Sequence, residues 1–171
     1  MAKVVLKLGD DISTDIIYPG RYMATVLPAE TPQYAFADFP EFNAKIKQGE
    51  ITAGSVVVAG KNFGCGSSRE QAASTLKGYE LVIVAKNFAR IFLQNAINLG
   101  LKVVVCPGIE AEEGDELEIL SDKIINKISG KEFKVEPLPK ARQAIVDAGG
   151  LIPYTREILK KKAASKKWPE L

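Results

Sequence analysis

Residues 60–73 read GKNFGCGSSREQAA, between the apolar, β-branched run SVVVA at 55–59 and a segment of helical composition. Gly60, Gly64 and Gly66 precede a pair of serines, Ser67 and Ser68, and then Arg69. Glycine admits φ > 0 and lets backbone approach a ligand closely. The first turn of a following helix offers unpaired N–H groups to an anion. Strand, Gly-rich loop and helix in that order therefore make a place to hold negative charge. Ser67 with Glu70, and Ser68 with Gln71, both have capping-box spacing, but only one serine can be the N-cap. Arg69 in a first helical turn opposes the helix dipole, so it needs an anionic partner, either a protein carboxylate or a ligand. Its planar fork suits bidentate capture of a carboxylate. Other uses of such a loop fit less well. No glycine follows Ser67 at nucleophile-elbow spacing, and the phosphate-loop and dinucleotide fingerprints lack their lysine and third glycine.

Working outward, a helix over about 68–77 ends at Gly78, residues 81–85 (LVIVA) read as a second buried strand, and 88–99 (FARIFLQNAINL) as an amphipathic helix closed by Gly100. Residues 101–106 (LKVVVC) form a third strand, stopped by Pro107-Gly108. Short links between alternating strands and helices imply parallel pairing with right-handed crossovers. Upstream, residues 3–8 (KVVLKL) read as a strand, and 9–25 as a polar loop carrying Ser13, Thr14, Asp15, Arg21, Tyr22 and Thr25. The stretch to residue 50 holds scattered prolines and aromatics, with short helices at most, as near 42–47; long segments of this kind often serve as lids or binding surfaces. Downstream of Pro107, alternating runs over 114–138 predict an antiparallel meander, followed by a proline-opened helix at 139–148. A basic, solvated helical tail runs from about residue 155 through Lys166 and Lys167 and frays at Trp168-Pro169. With no repeat and no linker, residues 1–171 make one α/β domain.

Two absences narrow the chemistry. The 171-residue chain has no histidine, which excludes Ser-His-Asp and Cys-His catalysis within it, and His-ligated zinc. It has two cysteines, Cys65 and Cys106, too few for a Cys₄ zinc site or for an iron–sulfur cluster held by this chain alone. They are expected as free thiols in a reducing compartment, with Cys106 a small buried residue at a strand end. A net charge of +2 argues neither for nor against nucleic acid, but the basic tail lacks the Arg and aromatic interleaving of a nucleic-acid surface. No apolar run approaches the ~20 residues of a membrane span, and the start MAKVVLKL is too short for a signal peptide. The expectation is a cytoplasmic protein.

Taken together, DISTDIIYPGRYMAT at 11–25, GKNFGCGSSREQAA, and VAKNFARIFLQNAINLGL from residue 84 resemble the small subunit of 3-isopropylmalate dehydratase. That family is a stand-alone form of the swivel domain of the aconitase superfamily. The resemblance implies a swivelling β/β/α domain, a mixed sheet or partly open barrel with flanking helices. It implies a hydro-lyase of leucine biosynthesis, active only with its large subunit as a heterodimer or heterotetramer. The large subunit carries the [4Fe–4S] cluster, and no metal is bound by this chain. Carried over residue by residue, Ser67 matches the catalytic serine that takes a proton α to a carboxylate. Ser68 and Arg69 match substrate-carboxylate ligands, and Gly64, Cys65 and Gly66 supply loop backbone. Tyr22, Met23, Ala24 and Thr25 match the loop that contacts the substrate's variable end. Gln71 stands where many members have His. Members acting on tricarboxylates tend to have Arg where this chain has Ala24, and Met23 with Ala24 can pack on an alkyl group. The substrate is thus a small dicarboxylic hydroxy acid, isopropylmalate first. A homoaconitate-type tricarboxylate and dimethylmalate remain open, as does the role of Arg21. Two other function classes stay beside this one: a non-enzymatic anion-binding regulatory module on the same loop, and a self-sufficient serine enzyme with Lys61 or Lys86 as base.

Overall fold

The computed structural model describes residues 1–25 and 27–165. In chain order its strands are β1 (Ala2–Lys7), β2 (Val56–Ala59), β3 (Val82–Ala85), β4 (Lys102–Val105), β5 (Glu116–Ile119), β6 (Lys123–Asn126) and β7 (Glu132–Lys134). Its helices are α1 (Thr14–Ile17), α2 (Pro40–Lys47), α3 (Glu70–Gly78), α4 (Arg90–Leu99), α5 (Lys140–Asp147) and α6 (Leu151–Ser165). The sheet has the order β4-β3-β2-β1-β5-β6-β7. β1 to β4 pair in parallel, and β1, β5, β6 and β7 pair antiparallel.

All four residues of β2 (VVVA) and of β3 (VIVA) are buried, as strands covered on both faces must be. Their alternating side chains feed two cores. Val57, Ala59, Ile83 and Ala85 face the helical layer, with Leu76, Phe92 and Ala96. Val56, Val58, Val82 and Val84 face inward, against Leu117, Ile124, Phe133 and Val135 from the antiparallel half. For that second core to be dry, the sheet has to curl over itself. Its two ends meet where the N–H of Glu136, just past β7, donates to Val105 O of β4 at 2.8 Å. The expected mixed sheet is thus a half-barrel, its ends joined by this bond and by the Cys106 thiol on Lys134 O.

Several boundaries differ from expectation. α2 starts at Pro40 instead of 42 and α4 at Arg90 instead of 88, and Gly78 is the last residue of α3, with Tyr79 as C-cap. α3 begins at Glu70, with Arg69 as N-cap and no side-chain cap, so neither Ser67 nor Ser68 is the expected cap. α6 begins at Leu151 instead of near Thr155, because Pro153 fits a first turn, where its missing N–H has no partner to lose. The expectation for Lys166, Lys167, Trp168 and Pro169 lies outside the described residues. The segment before residue 50 contains α2 and 3-10 turns at Gly20–Tyr22 and Thr31–Tyr34, and it buries Tyr18, Phe36, Phe42 and Ile46. Among the described residues no helix is long and apolar enough to cross a membrane.

Candidate active site

The Gly-rich loop leaves the C-terminal end of β2 and is fastened on both sides. On one side Gly64 N–H donates to Ile12 O at 2.7 Å, and Cys65 O accepts from Thr14 N–H at 2.8 Å. On the other, Phe63 packs edge-on against both Phe88 and Phe92, with centroids 5.9 and 5.2 Å away, while those two rings lie parallel to each other. The Phe63 backbone bonds Asn87 O and Ala89 N–H. Gly64, at φ +81°, lies so close to Phe92 that an added Cβ would sit 2.2 Å from Cγ. Gly66, at φ +93°, then turns the chain outward. The two glycines have distinct reasons: Gly64 for close approach, Gly66 for the turn.

Beyond Gly66 the loop is exposed at Ser67 and Ser68. With no cap to form, the Ser67 hydroxyl turns to Thr14, whose Oγ1 lies 3.3 Å from it and donates to Ser67 O at 3.2 Å. Thr14 is 1% exposed, which fixes the hydroxyl from below. Ser68 O accepts from Asn95 of α4 at 3.5 Å. Arg69 swings back across the loop. It forms an ion pair with Asp15 through Nη1, and the same nitrogen donates to Tyr18 O at 3.3 Å. The anionic partner expected for Arg69 is therefore a protein carboxylate, from the first turn of α1. Its side chain is 17% exposed against 57% for Asp15. The pair is thus set into the surface, with Nη2 and Nε left for a further acceptor.

The backbone donors divide. Gly64 commits its N–H to Ile12, so it does not serve an oxyanion. Cys65 pairs with Ser13 in an isolated parallel bridge, and the N–H groups of Gly66, Ser67 and Ser68 have no partner among the described residues. These groups lie just ahead of the opening of α3, which has no side-chain cap. Unpaired N–H groups at such a helix start can stabilise negative charge on an oxygen. Neither Lys61 nor Lys86 bonds Ser67; Lys61 holds Asp10 through its backbone, at 2.7 Å from Oδ1. The lysine-base arrangement is not assembled.

The loop at 20–25 joins the site through its first residue and through Tyr18. A Cβ on Gly20 would lie 3.2 Å from Arg69 Nη2 and 3.3 Å from Asp15 Oδ1. The Tyr18 hydroxyl donates to Tyr22 O at 3.0 Å and Thr25 O at 3.4 Å. Burial raises its pKa, so it stays a donor. Tyr22 stacks on Tyr34 at 4.1 Å, while Met23 and Ala24 are exposed. No hydrogen bond ties Tyr22, Met23, Ala24 or Thr25 to Ser67 or Ser68. Thr14, Asp15 and Tyr18 are what sequence reasoning did not assign to the site; nothing local couples Asp15 to an arginine 54 residues later. A cavity of about 920 Å³, lined by Val104, Leu120, Pro137 and Lys140 among others, opens at the N-terminal ends of β3 and β4, away from this loop. The site itself is an open surface.

Comparison with known proteins agrees with the motifs. Residues 11–107 match the aconitase C-terminal domain model. The 3-isopropylmalate dehydratase small subunit of Methanosarcina mazei is 44% identical over 90% of this chain and 94% of its own. The isopropylmalate/citramalate isomerase small subunit of Methanocaldococcus jannaschii is 45% identical over 94% of each chain. A crystal structure of 3-isopropylmalate dehydratase from the same organism superposes with a TM-score of 0.83 at 38% identity, covering 94% of this chain and 97% of that one. The chain belongs to the aconitase C-terminal domain family, among the small subunits of the isopropylmalate dehydratases.

Proposed function

We propose that this chain is the small subunit of a heteromeric hydro-lyase that interconverts 2- and 3-isopropylmalate by removing and re-adding water, a step of leucine biosynthesis. The observation that carries the reading is the exposed Ser67 hydroxyl, backed by Thr14 Oγ1 at 3.3 Å and just ahead of the uncapped start of α3, close in the chain to a guanidinium held by Asp15. Ser67 takes the proton α to a carboxylate. The breaking C–H bond leaves its electron pair to the new C=C bond as hydroxide departs. A serine alkoxide is high in energy, and the unpaired N–H groups ahead of α3 lower that cost. Ser68 and the free edge of Arg69 hold the substrate carboxylate, and Met23 with Ala24 meets its alkyl end.

The donor set does not fit a cluster resident in this chain. A four-iron cluster takes thiolates. Cys106 is buried with its thiol on Lys134 O, Cys65 is half-buried in the loop, and among the described residues no three His, Cys, Asp or Glu come together. We place the [4Fe–4S] cluster, and the departure of the hydroxyl, in a cytoplasmic large subunit.

The test is reconstitution with the large subunit under anaerobic conditions and an isopropylmalate isomerisation assay, the isolated chain being inactive. Ser67→Ala should leave assembly intact and lower kcat by about 10²-fold or more, the range of a lost general base. Near-normal turnover in an assembled Ser67→Ala enzyme removes Ser67 from this role. A shorter alkylmalate is the second reading, favoured by the name of the M. jannaschii relative, which includes citramalate.

A further inference from the structure

Arg21 directly precedes the proposed alkyl-contact turn, and its guanidinium is held by Asp38. Its Nη1 and Nη2 donate to Asp38 Oδ2 and Oδ1, at 3.2 and 2.5 Å, and its Cζ lies 4.7 Å from the centroid of the Tyr22 ring. Tyr22 in turn stacks on Tyr34 with an interplanar angle of 14°. Guanidinium and two rings thus form one pile, and Asp38 grips the guanidinium at its outer end. The grip has its own support. Phe36 is fully buried and held at φ +49°, a region that bulky side chains rarely adopt. Its N–H bonds Ile17 O at 2.9 Å, and its O accepts from Phe39 N–H at 2.8 Å, which fixes the turn that carries Asp38. The hydrogen bonds raise the pKa of Arg21 and lower that of Asp38, so both stay charged at neutral pH.

We infer that Asp38 is a specificity-determining residue: by holding Arg21 against the Tyr22–Tyr34 stack it keeps that cation off the substrate-facing side of the turn, which then offers Met23 and Ala24 to an alkyl group and nothing to a third carboxylate. The inference rests on reading Tyr22–Thr25 as the turn that contacts the substrate. Released, Arg21 sits one residue from that turn with a side chain long enough to reach across it, and its fork matches a carboxylate. Arg21 and Asp38 are each about half exposed, so the grip is worth no more than one surface ion pair and can be undone by a single substitution.

The test uses the reconstituted two-subunit enzyme and the ratio of kcat/KM for the tricarboxylate homoaconitate to that for isopropylmalate. Asp38→Asn should raise this ratio about fivefold, the equivalent of one exposed ion pair, through a lower KM for the tricarboxylate. Asp38→Glu should keep the wild-type ratio, and Asp38→Asn combined with Arg21→Gln should return to it. A ratio unchanged in Asp38→Asn, with both substrates slowed alike, marks a merely structural role and overturns the inference. So does an equal rise in the double variant, since Arg21 would then not be the group released. The proposed substrate is judged separately, in the wild-type arm. A wild-type enzyme that prefers homoaconitate sinks the isopropylmalate assignment, while the response of the ratio to Asp38→Asn still decides the clasp. Turnover of neither substrate by the wild type overturns both.

Discussion

At the residue scale, the site is two loops held at a fixed distance by side chains whose geometry leaves little slack. Arg69 gives Nη1 to Asp15 and Tyr18, so its orientation is set before any ligand arrives. A lysine at 69 is a point charge and cannot hold Asp15 and a substrate carboxylate in one plane. Arg69→Lys should therefore lower kcat/KM by about 10- to 100-fold, the loss of one or two charge-assisted hydrogen bonds, read in steady-state assays of the two-subunit enzyme. Gly64→Ala adds a Cβ that meets Phe92 and forces an alanine to φ +81°. It should cost about 3 kcal/mol in urea unfolding. Ser67, Ser68 and Arg69 stood out in the sequence because two serines and a cation at a helix start contradict the rules of capping. Thr14 did not, because its importance lies in a contact across 53 residues.

At the element scale, strands were the legible part. Val56–Ala59 and Val82–Ala85 are apolar on both faces, short, and rich in β-branched residues, which favours buried strands over helix. Helix starts were less legible, because here tertiary contacts replace caps. The start of α3 follows from the Gly66 turn and the Thr14 bond, which draw Ser67 away from the helix. α4 likewise opens at Ala89 with no side-chain acceptor, its backbone anchored to Phe63 O at 2.9 Å. Ala89 has the extended φ and ψ of an N-cap, −62° and 138°. Ala89→Ser should then stabilise the protein by about 0.5–1 kcal/mol, seen as a higher Tm in a thermal melt.

At the scale of the whole molecule, the change from parallel to antiparallel pairing was readable from the texture of the chain after Pro107, where crossover helices give way to short alternating runs. The curl was not. It depends on two cores lying on opposite faces of one sheet and on a hydrogen bond between residues 105 and 136, neither of which has a local signature. Glu136→Pro removes the N–H that reaches Val105 O. It should cost about 1 kcal/mol or more. By opening the two sheet edges it should also make the unfolding midpoint rise with protein concentration, as exposed edges of the folded state associate. A midpoint independent of concentration, with unchanged stability, would show that the tie contributes nothing.

β1 lies between β2 and β5, so both of its neighbours follow it in the chain. During synthesis the residues of β1 through β4, with both loops of the candidate site, are complete by about residue 105, whereas the strand that covers the other edge of β1 starts at Glu116. The family match, residues 11–107, ends at almost the same place. A nascent chain of that length already carries the elements that position Ser67 and Arg69. It still exposes the inward valines Val56, Val58, Val82 and Val84. The antiparallel half is thus the late-synthesised cover of a core whose other face carries the candidate-site loops.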